Sequence, residues 1–468
     1  MTGKQKNIKY DLWRVLEWMF FLLMGVQILL GMVWLVKNIG CQPWFYETQS
    51  YLKAANELRI DEHMGILYPI LIFVAEKTEQ IMGIPYYSFL YVVQLCVALY
   101  ALVHFLNQQR WIAKNGKRSI IKKYWLAAYL LTFPLLLQLH LAVLPYSLAA
   151  SVLLLLVSEG LRGLKNEAVF SGRDLIRLCG LWILGYLLLP DYSWLAGIFV
   201  CSVFIKRMYM DRKWSMQMVI ALLSTVLCFG VIAGSTQTPG SMGRIQKTVG
   251  SAMVHRFVWP YFVRDSFFWE EEIHDTFSYQ DLVKMSQAPE LVDTQFGPIL
   301  EEKYGRKEAN RMYWEMALTS FASGSKQTLK NISRDFLANL CPQAGFQMSL
   351  ADNENTLNGW NYARLTDQSP VAAKYYLKVS MAGWNFMCLW GVLQWIFQTA
   401  ARIRQKKTNQ SGKIWSVVLI SLLGMTVWYT MSRGMQDYKY VMMNSFFWLM
   451  PVIRGYLCII KKRKNCEK

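Results

Sequence analysis

The sequence predicts an all-α polytopic membrane protein of about ten transmembrane helices, with both termini cytoplasmic and a mostly helical outside region. Three observations carry this expectation. Of 468 residues, 54% are hydrophobic, 15% aromatic and only 17% charged, against roughly 25% charged in an ordinary soluble domain. Apolar windows of about 17 to 25 residues, the length that crosses a hydrocarbon core, recur along the chain. Lysine and arginine gather in alternate connections between those windows, as the positive-inside rule requires.

Taken in order, the windows fall at 15–37, 86–106, 124–141, 144–160, 175–189, 192–206, 215–234, 376–399, 414–431 and 440–460. The first is too long, and its flank too polar, for a cleaved signal peptide. The pairs 124–141/144–160 and 175–189/192–206 can each be read as one long helix, but Pro145 and Pro190-Asp191 favour two hairpins, since proline and a charged turn mark where a chain leaves the membrane. Lys4, Lys6, Lys9 and Arg14 precede the first window. Arg110, Lys114, Lys117, Arg118, Lys122 and Lys123 follow the second, and Arg162, Lys165, Arg173 and Arg177 follow the fourth. Lys206, Arg207, Arg212 and Lys213, then Arg402, Arg404, Lys406, Lys407 and Lys413, and finally Lys461 to Lys464 fall on the same side. The net charge of +19 is therefore a topology signal and an anionic-lipid contact rather than a nucleic-acid footprint, and no nucleic-acid partner is expected.

The chain divides into a seven-span module over 1–234, an extracytoplasmic region over 235–375 and a three-span module over 376–468. The outside region holds 14 Lys+Arg against 16 Asp+Glu, is domain-sized, and offers helix candidates at 279–288, 298–323 and 326–340. The large first outside loop, 38–85, carries six acids and three basic residues. In it, Thr48 to Leu58 places Tyr51, Leu52, Ala54, Ala55 and Leu58 at the spacing of an amphipathic helix on the membrane surface. Gly65 to Phe73 is apolar but short, and reads as an interfacial or re-entrant segment, because counting it as a span would invert every later basic loop. Of the nine cysteines none has metal-ligand spacing, and only Cys41 and Cys341 face outside.

Glu47, directly after the first span, sits where a carboxylate can act as general base on an acceptor hydroxyl or hold a divalent cation. Asp61, Glu62 and His63 lie one surface helix away. A solvated loop charge is the competing reading for each of them. Asp191 in Leu189-Pro-Asp191-Tyr-Ser-Trp194 is a carboxylate at the membrane surface, where acids are costly and tend to have work to do. Arg433 and Lys439 in the last outside turn are the cations placed to hold a phosphate, with pairing to Asp437 as their alternative. The patch from His255-Arg256 to Arg264-Asp265 reads better as an interface belt or domain core. There is no phosphate-binding Gly-rich loop, nucleotide fingerprint or HExxH motif.

The run Glu47-x-x-x-Tyr51-x-x-x-Ala55, then Asp61-Glu-His-x-Gly65 and Tyr68-Pro69, resembles the first outside loop of the GT-C superfamily of integral-membrane glycosyltransferases. That group includes the protein O-mannosyltransferases and the aminoarabinose transferases of lipid A. The resemblance is best over the first 200 residues or so. It implies a GT-C-like fold in the cell membrane, with the active site on the extracytoplasmic side. It also implies transfer of a sugar from a polyprenyl-phosphate carrier to a hydroxyl on a glycan, glycolipid or protein acceptor. Glu47 takes the place of the family acid, as base or metal-associated acid, and Tyr51, Asp61, Glu62, His63, Asp191, Arg433 and Lys439 become substrate-binding candidates. The family pattern usually has Asp, often followed by a second acid, where this chain has Glu47-Thr48, and its second outside turn offers His140 and no carboxylate. A divalent cation therefore stays open. A lipid-linked oligosaccharide flippase or transporter, or a non-catalytic glycolipid-binding relative, are the alternatives.

Overall fold

The computed structural model describes residues 3–40, 46–57, 64–107, 117–165, 172–190, 275–281 and 297–305, with scattered positions beyond them up to residue 427. These residues are helical, with no strand among them. The chain forms two compact units, one of Met1–Ile232, Ser349–Ser421 and Ser445–Lys468, the other of Ala233–Met348 and Leu422–Asn444.

The first unit contains helices α1 (Gly3–Asn38), α2 (Tyr46–Glu57), α3 (Leu67–Met82), α4 (Tyr86–Asn107), α5 (Lys117–Leu131), α6 (Pro134–His140), α7 (Tyr146–Lys165) and α8 (Gly172–Leu188). Among the described residues α4 is the one helix both long and apolar enough to cross a membrane; its 22 residues rise about 33 Å. Phe21–Lys37, Tyr146–Gly160 and Ile176–Leu188 are shorter apolar stretches. The expected window 124–141 is interrupted: Phe133 takes an extended conformation and Pro134 opens a new helix, so α5 and α6 are separate. Proline has no N–H for the helical ladder and constrains the residue before it, and so starts helices better than it continues them.

Contacts between helices fix their directions. Gln27 donates from Nε2 to the Tyr129 carbonyl at 2.9 Å, while Gly25 faces Trp125 and a Cβ at Gly31 would lie 2.7 Å from Thr132 Cβ, so α1 and α5 run parallel. Gln94 near Ala142 and His104 on Glu159 make α4 and α7 parallel to each other. α8 runs against α7, since Arg162 meets Asp174 and Gly185 faces Val152. Tyr87 Oη donates to Gly40 O at 3.1 Å and Ser88 Oγ to Ile39 O at 2.8 Å, fastening the end of α1 to the start of α4. The bundle therefore has two distinct ends. At one lie the start of α1, the end of α4, the start of α5, the end of α7 and the start of α8; at the other lie α2, the α6–α7 turn and the end of α8.

The outward faces are apolar. Val15, Trp18, Met19, Leu22, Val26, Leu29, Val33 and Val36 are exposed along one side of α1, with Trp18 at 67% and Val36 at 71%. On α3, Ile70, Phe73, Val74 and Ile81 are exposed likewise. Small residues admit close neighbours inside: a Cβ at Gly160 would meet Phe199 at 2.6 Å, and one at Gly197 would meet Trp182 at 2.5 Å.

In the second unit, α9 (Gly297–Tyr304) ends at Gly305, whose φ of 80° is left-handed and favours glycine. The expected helix 298–323 is thus broken at Gly305, and helical structure resumes at 307. Thr276 Oγ1 and the Tyr304 hydroxyl lie 3.0 Å apart, and Lys303 Nζ reaches Thr276 Oγ1 at 3.0 Å, joining 275–281 to α9.

Candidate functional site

Glu47 lies in the first turn of α2, at the end of the bundle away from the starts of α5 and α8. Its side chain is outside what the structure describes, as are residues 61–63 and Asp191, Arg433 and Lys439 altogether. Cys41 and Cys341 are outside it too, whereas Cys96 and Cys179 are not joined in disulfides. The neighbours of Glu47 on α2 are well placed. Thr48 is fully buried and its Oγ1 approaches the Val143 carbonyl at 3.4 Å. Tyr51 is 3% exposed and meets Tyr68 edge to face, with ring centroids 5.6 Å apart. Ala54 and Ala55 are buried with them. The face 48, 51, 54/55 follows helical spacing, yet its partner is protein: it packs on α3 and on the turn after α6. The expectation that this face lies on lipid is corrected, because a Thr hydroxyl and a Tyr ring find a carbonyl and an aromatic edge here. Tyr51, expected to meet substrate, packs on Tyr68 between α2 and α3.

Gly65 explains the entry to α3. A Cβ there would overlap the Leu187 carbonyl oxygen and the Leu188 backbone, so only glycine lets the chain pass under the end of α8. The segment expected to be interfacial or re-entrant forms the 16-residue α3, about 24 Å long, with Tyr68 and Ile72 buried toward the bundle. Its charged end helps start α4: Glu79 Oε2 accepts from the Tyr86 N–H at 3.3 Å. Burial and the Glu79 carboxylate raise the Glu76 carboxyl above its ordinary range, with Lys77 opposing.

The turn Leu141 to Pro145 is the centre of this end. Gln94, buried in α4, donates from Nε2 to Ala142 O at 2.9 Å. Thr48 approaches Val143, and Tyr68 Oη lies against the Leu144 backbone without a hydrogen bond of ordinary geometry. His140 and Ser147 flank the turn, joined Nδ1 to Oγ at 2.7 Å, and both are buried. Burial, then the Tyr91, Tyr51 and Tyr86 phenols, push the Tyr68 hydroxyl well above its ordinary value, so it keeps its proton. Comparison with protein-family models, with curated proteins and with solved structures finds no match.

Among the described residues no group of three His, Cys, Asp or Glu is placed to hold a metal ion, so these residues do not by themselves fit a divalent-cation site. At the opposite end a second polar cluster joins three helices. Glu159 on α7, 7% exposed, pairs with His104 of α4 at 2.8 Å and with Arg162 at 2.6 Å, and Arg162 also reaches Asp174 of α8 at 2.5 Å. Sequence reasoning passed over Gln94, Ser147, His104 and Glu159. Their signal was present, since polar residues inside otherwise apolar windows are expensive and tend to face the bundle interior.

Proposed function

We propose that this chain is a polytopic glycosyltransferase of about ten spans that moves a sugar from a polyprenyl-phosphate carrier to an acceptor hydroxyl at the outer membrane–water boundary. The observation that carries the reading is the position of α2. A short helix bearing Glu47 is docked at one end of an apolar-faced bundle whose opposite end takes the basic start of α5, the end of α7 and the start of α8. From Val15 to Val36 the exposed stripe of α1 rises about 32 Å, close to the roughly 30 Å of a hydrocarbon core. With the basic end cytoplasmic, α2 sits on the outside. The first-loop pattern Glu47, Tyr51, Gly65 and Tyr68-Pro69 supplies the reaction class.

In this reading the Glu47 carboxylate accepts the proton of the acceptor hydroxyl as its oxygen bonds the anomeric carbon. The bond from that carbon to the carrier phosphate breaks, and the phosphate leaves with the electron pair. Asp61, Glu62, His63 and Asp191 are the candidates to line the cavity, and Arg433 and Lys439 are those the sequence offers to the phosphate. Charge contacts at a water-poor boundary are stronger than in bulk water. Tyr51 and Gly65 act by holding α2 and α3 in place. The deciding experiment is transfer from labelled polyprenyl-phosphate sugars by purified protein, with Glu47→Gln as the comparison. Unchanged transfer in a well-folded Glu47→Gln protein sinks the catalytic assignment. Surface glycans and lipid-linked sugars unaltered by deletion, as read by mass spectrometry, would sink the reaction class.

A further inference from the structure

Three buried polar atoms around the turn Leu141 to Pro145 have no hydrogen-bond partner: Gln94 Oε1, His140 Nε2 and Tyr68 Oη. Buried polar side chains are nearly always satisfied, and an exception calls for an explanation. Here three exceptions belong to side chains that touch or flank one turn. Gln94 binds Ala142 O, Tyr68 lies against Leu144, and His140 precedes the turn and is held by Ser147 beyond it. Cα atoms are about 3.8 Å apart along the chain, so positions 142 and 144, which Gln94 and Tyr68 approach, lie within about 8 Å of each other, and His140 stands two residues before the first of them.

We propose that Gln94, His140 and Tyr68 form a neutral subsite that receives the hydroxyl groups of an uncharged sugar headgroup. The inference rests on the glycosyltransferase reading and deepens it by separating recognition of the sugar from recognition of the phosphate. The chemistry selects the ligand. Gln94 Oε1 only accepts, the Tyr68 hydroxyl donates and accepts, and His140 Nε2 does either according to which nitrogen carries the proton. A sugar hydroxyl, itself donor and acceptor, satisfies all three. A phosphate does not, because it would face the Gln94 carbonyl oxygen, and among the described residues none of the polar groups that bind this turn is a cation. Ser147 is a positioning residue: its bond to Nδ1 fixes the imidazole and thereby aims Nε2. The subsite lies beneath α2, whose Thr48 Oγ1 approaches the Val143 carbonyl at 3.4 Å, so entry of the sugar requires α2 to lift from Val143.

The test uses the full chain in lipid nanodiscs and reads binding without turnover. The probes are bare polyprenyl phosphate and a panel of polyprenyl phosphates carrying glucose, mannose, galactose or N-acetylglucosamine. Wild type is expected to bind the best glycosylated carrier at least about tenfold tighter than the bare one. Tyr68→Phe and Gln94→Met each reduce that margin by about five- to tenfold, the effect of losing one hydrogen bond; Ser147→Ala reduces it less, and bare-carrier affinity holds. Tyr68→Phe also retains or raises the melting temperature, because it deletes an unsatisfied atom; this separates loss of recognition from loss of fold. No margin in wild type, or a margin that Tyr68→Phe and Gln94→Met leave intact, overturns the subsite and leaves ordered water as its occupant. A margin that collapses in these variants, in a protein that transfers no sugar, upholds the subsite and removes the transferase reading instead.

Discussion

Replacing Glu159 tests whether the ionic cluster joining α4, α7 and α8 works as a unit. Glu159 is 7% exposed, Arg162 26% and Asp174 28%, so solvent screens these charges only in part. Removing one partner of a buried pair costs about 3–5 kcal/mol when the other charge is stranded. In Glu159→Gln the Arg162 guanidinium is not stranded, since Asp174 stays at 2.5 Å; the expected cost falls to about 1.5–3 kcal/mol, that of one hydrogen bond to a charged group. Asp174→Asn leaves Arg162 with Glu159 and is expected to cost about 1 kcal/mol or less. The double variant strands Arg162, and its cost should exceed the sum of the singles by about 1 kcal/mol or more. Denaturant unfolding of the four proteins in identical micelles measures the coupling. Additivity within about 0.5 kcal/mol would refute the claim that both carboxylates serve one guanidinium.

Other outcomes follow from the packing. Leu29→Arg, in the middle of the exposed α1 stripe, should lower insertion by about 2.5–3.5 kcal/mol and leave more of the protein extractable by alkali; unchanged membrane retention counts against a lipid-facing α1. Gly65→Ala should destabilise by about 1–3 kcal/mol, because the added Cβ overlaps the Leu187 and Leu188 backbone; a melting temperature equal to wild type would show that α8 does not pass there. Thr48→Val keeps the shape of the α2 contact but removes the hydroxyl aimed at Val143. It should cost no more than about 1 kcal/mol and increase proteolysis on either side of α2, and protection equal to wild type would detach α2 from the turn.

Local pattern made much of the helical architecture legible. α4, α7 and α8 overlap the apolar windows 86–106, 144–160 and 175–189 and end at Asn107, Lys165 and Leu188, and Pro145 marks the break before α7. The division of α5 from α6 was not read, although Pro134 was visible, because a proline inside an apolar window can either kink a helix or end it and only the neighbours decide. The unbroken reading of 298–323 failed in a related way: the apolar spacing continues past Gly305, but the left-handed backbone there does not register in periodicity. On α2 the amphipathic spacing was right and its partner wrong, since periodicity reveals that a face is apolar, not whether lipid or protein covers it.

The candidate site divides along the same line. Glu47 was legible because it is an isolated acid at the end of a long apolar segment, and the structure adds that its helix is docked through Thr48 and Tyr51. Gln94, His140 and Ser147 lie far apart in sequence, in windows read as apolar or in a turn, and no short motif joins them. Composition and the spacing of charged residues determined by themselves that this is a helical chain with apolar windows and basic alternate connections, because both are properties of consecutive residues. Only the tertiary structure decided which polar residues approach the Leu141 to Pro145 turn and which of their atoms go without a partner, because bringing positions 48, 68, 94 and 140 to one turn depends on how four helices pack.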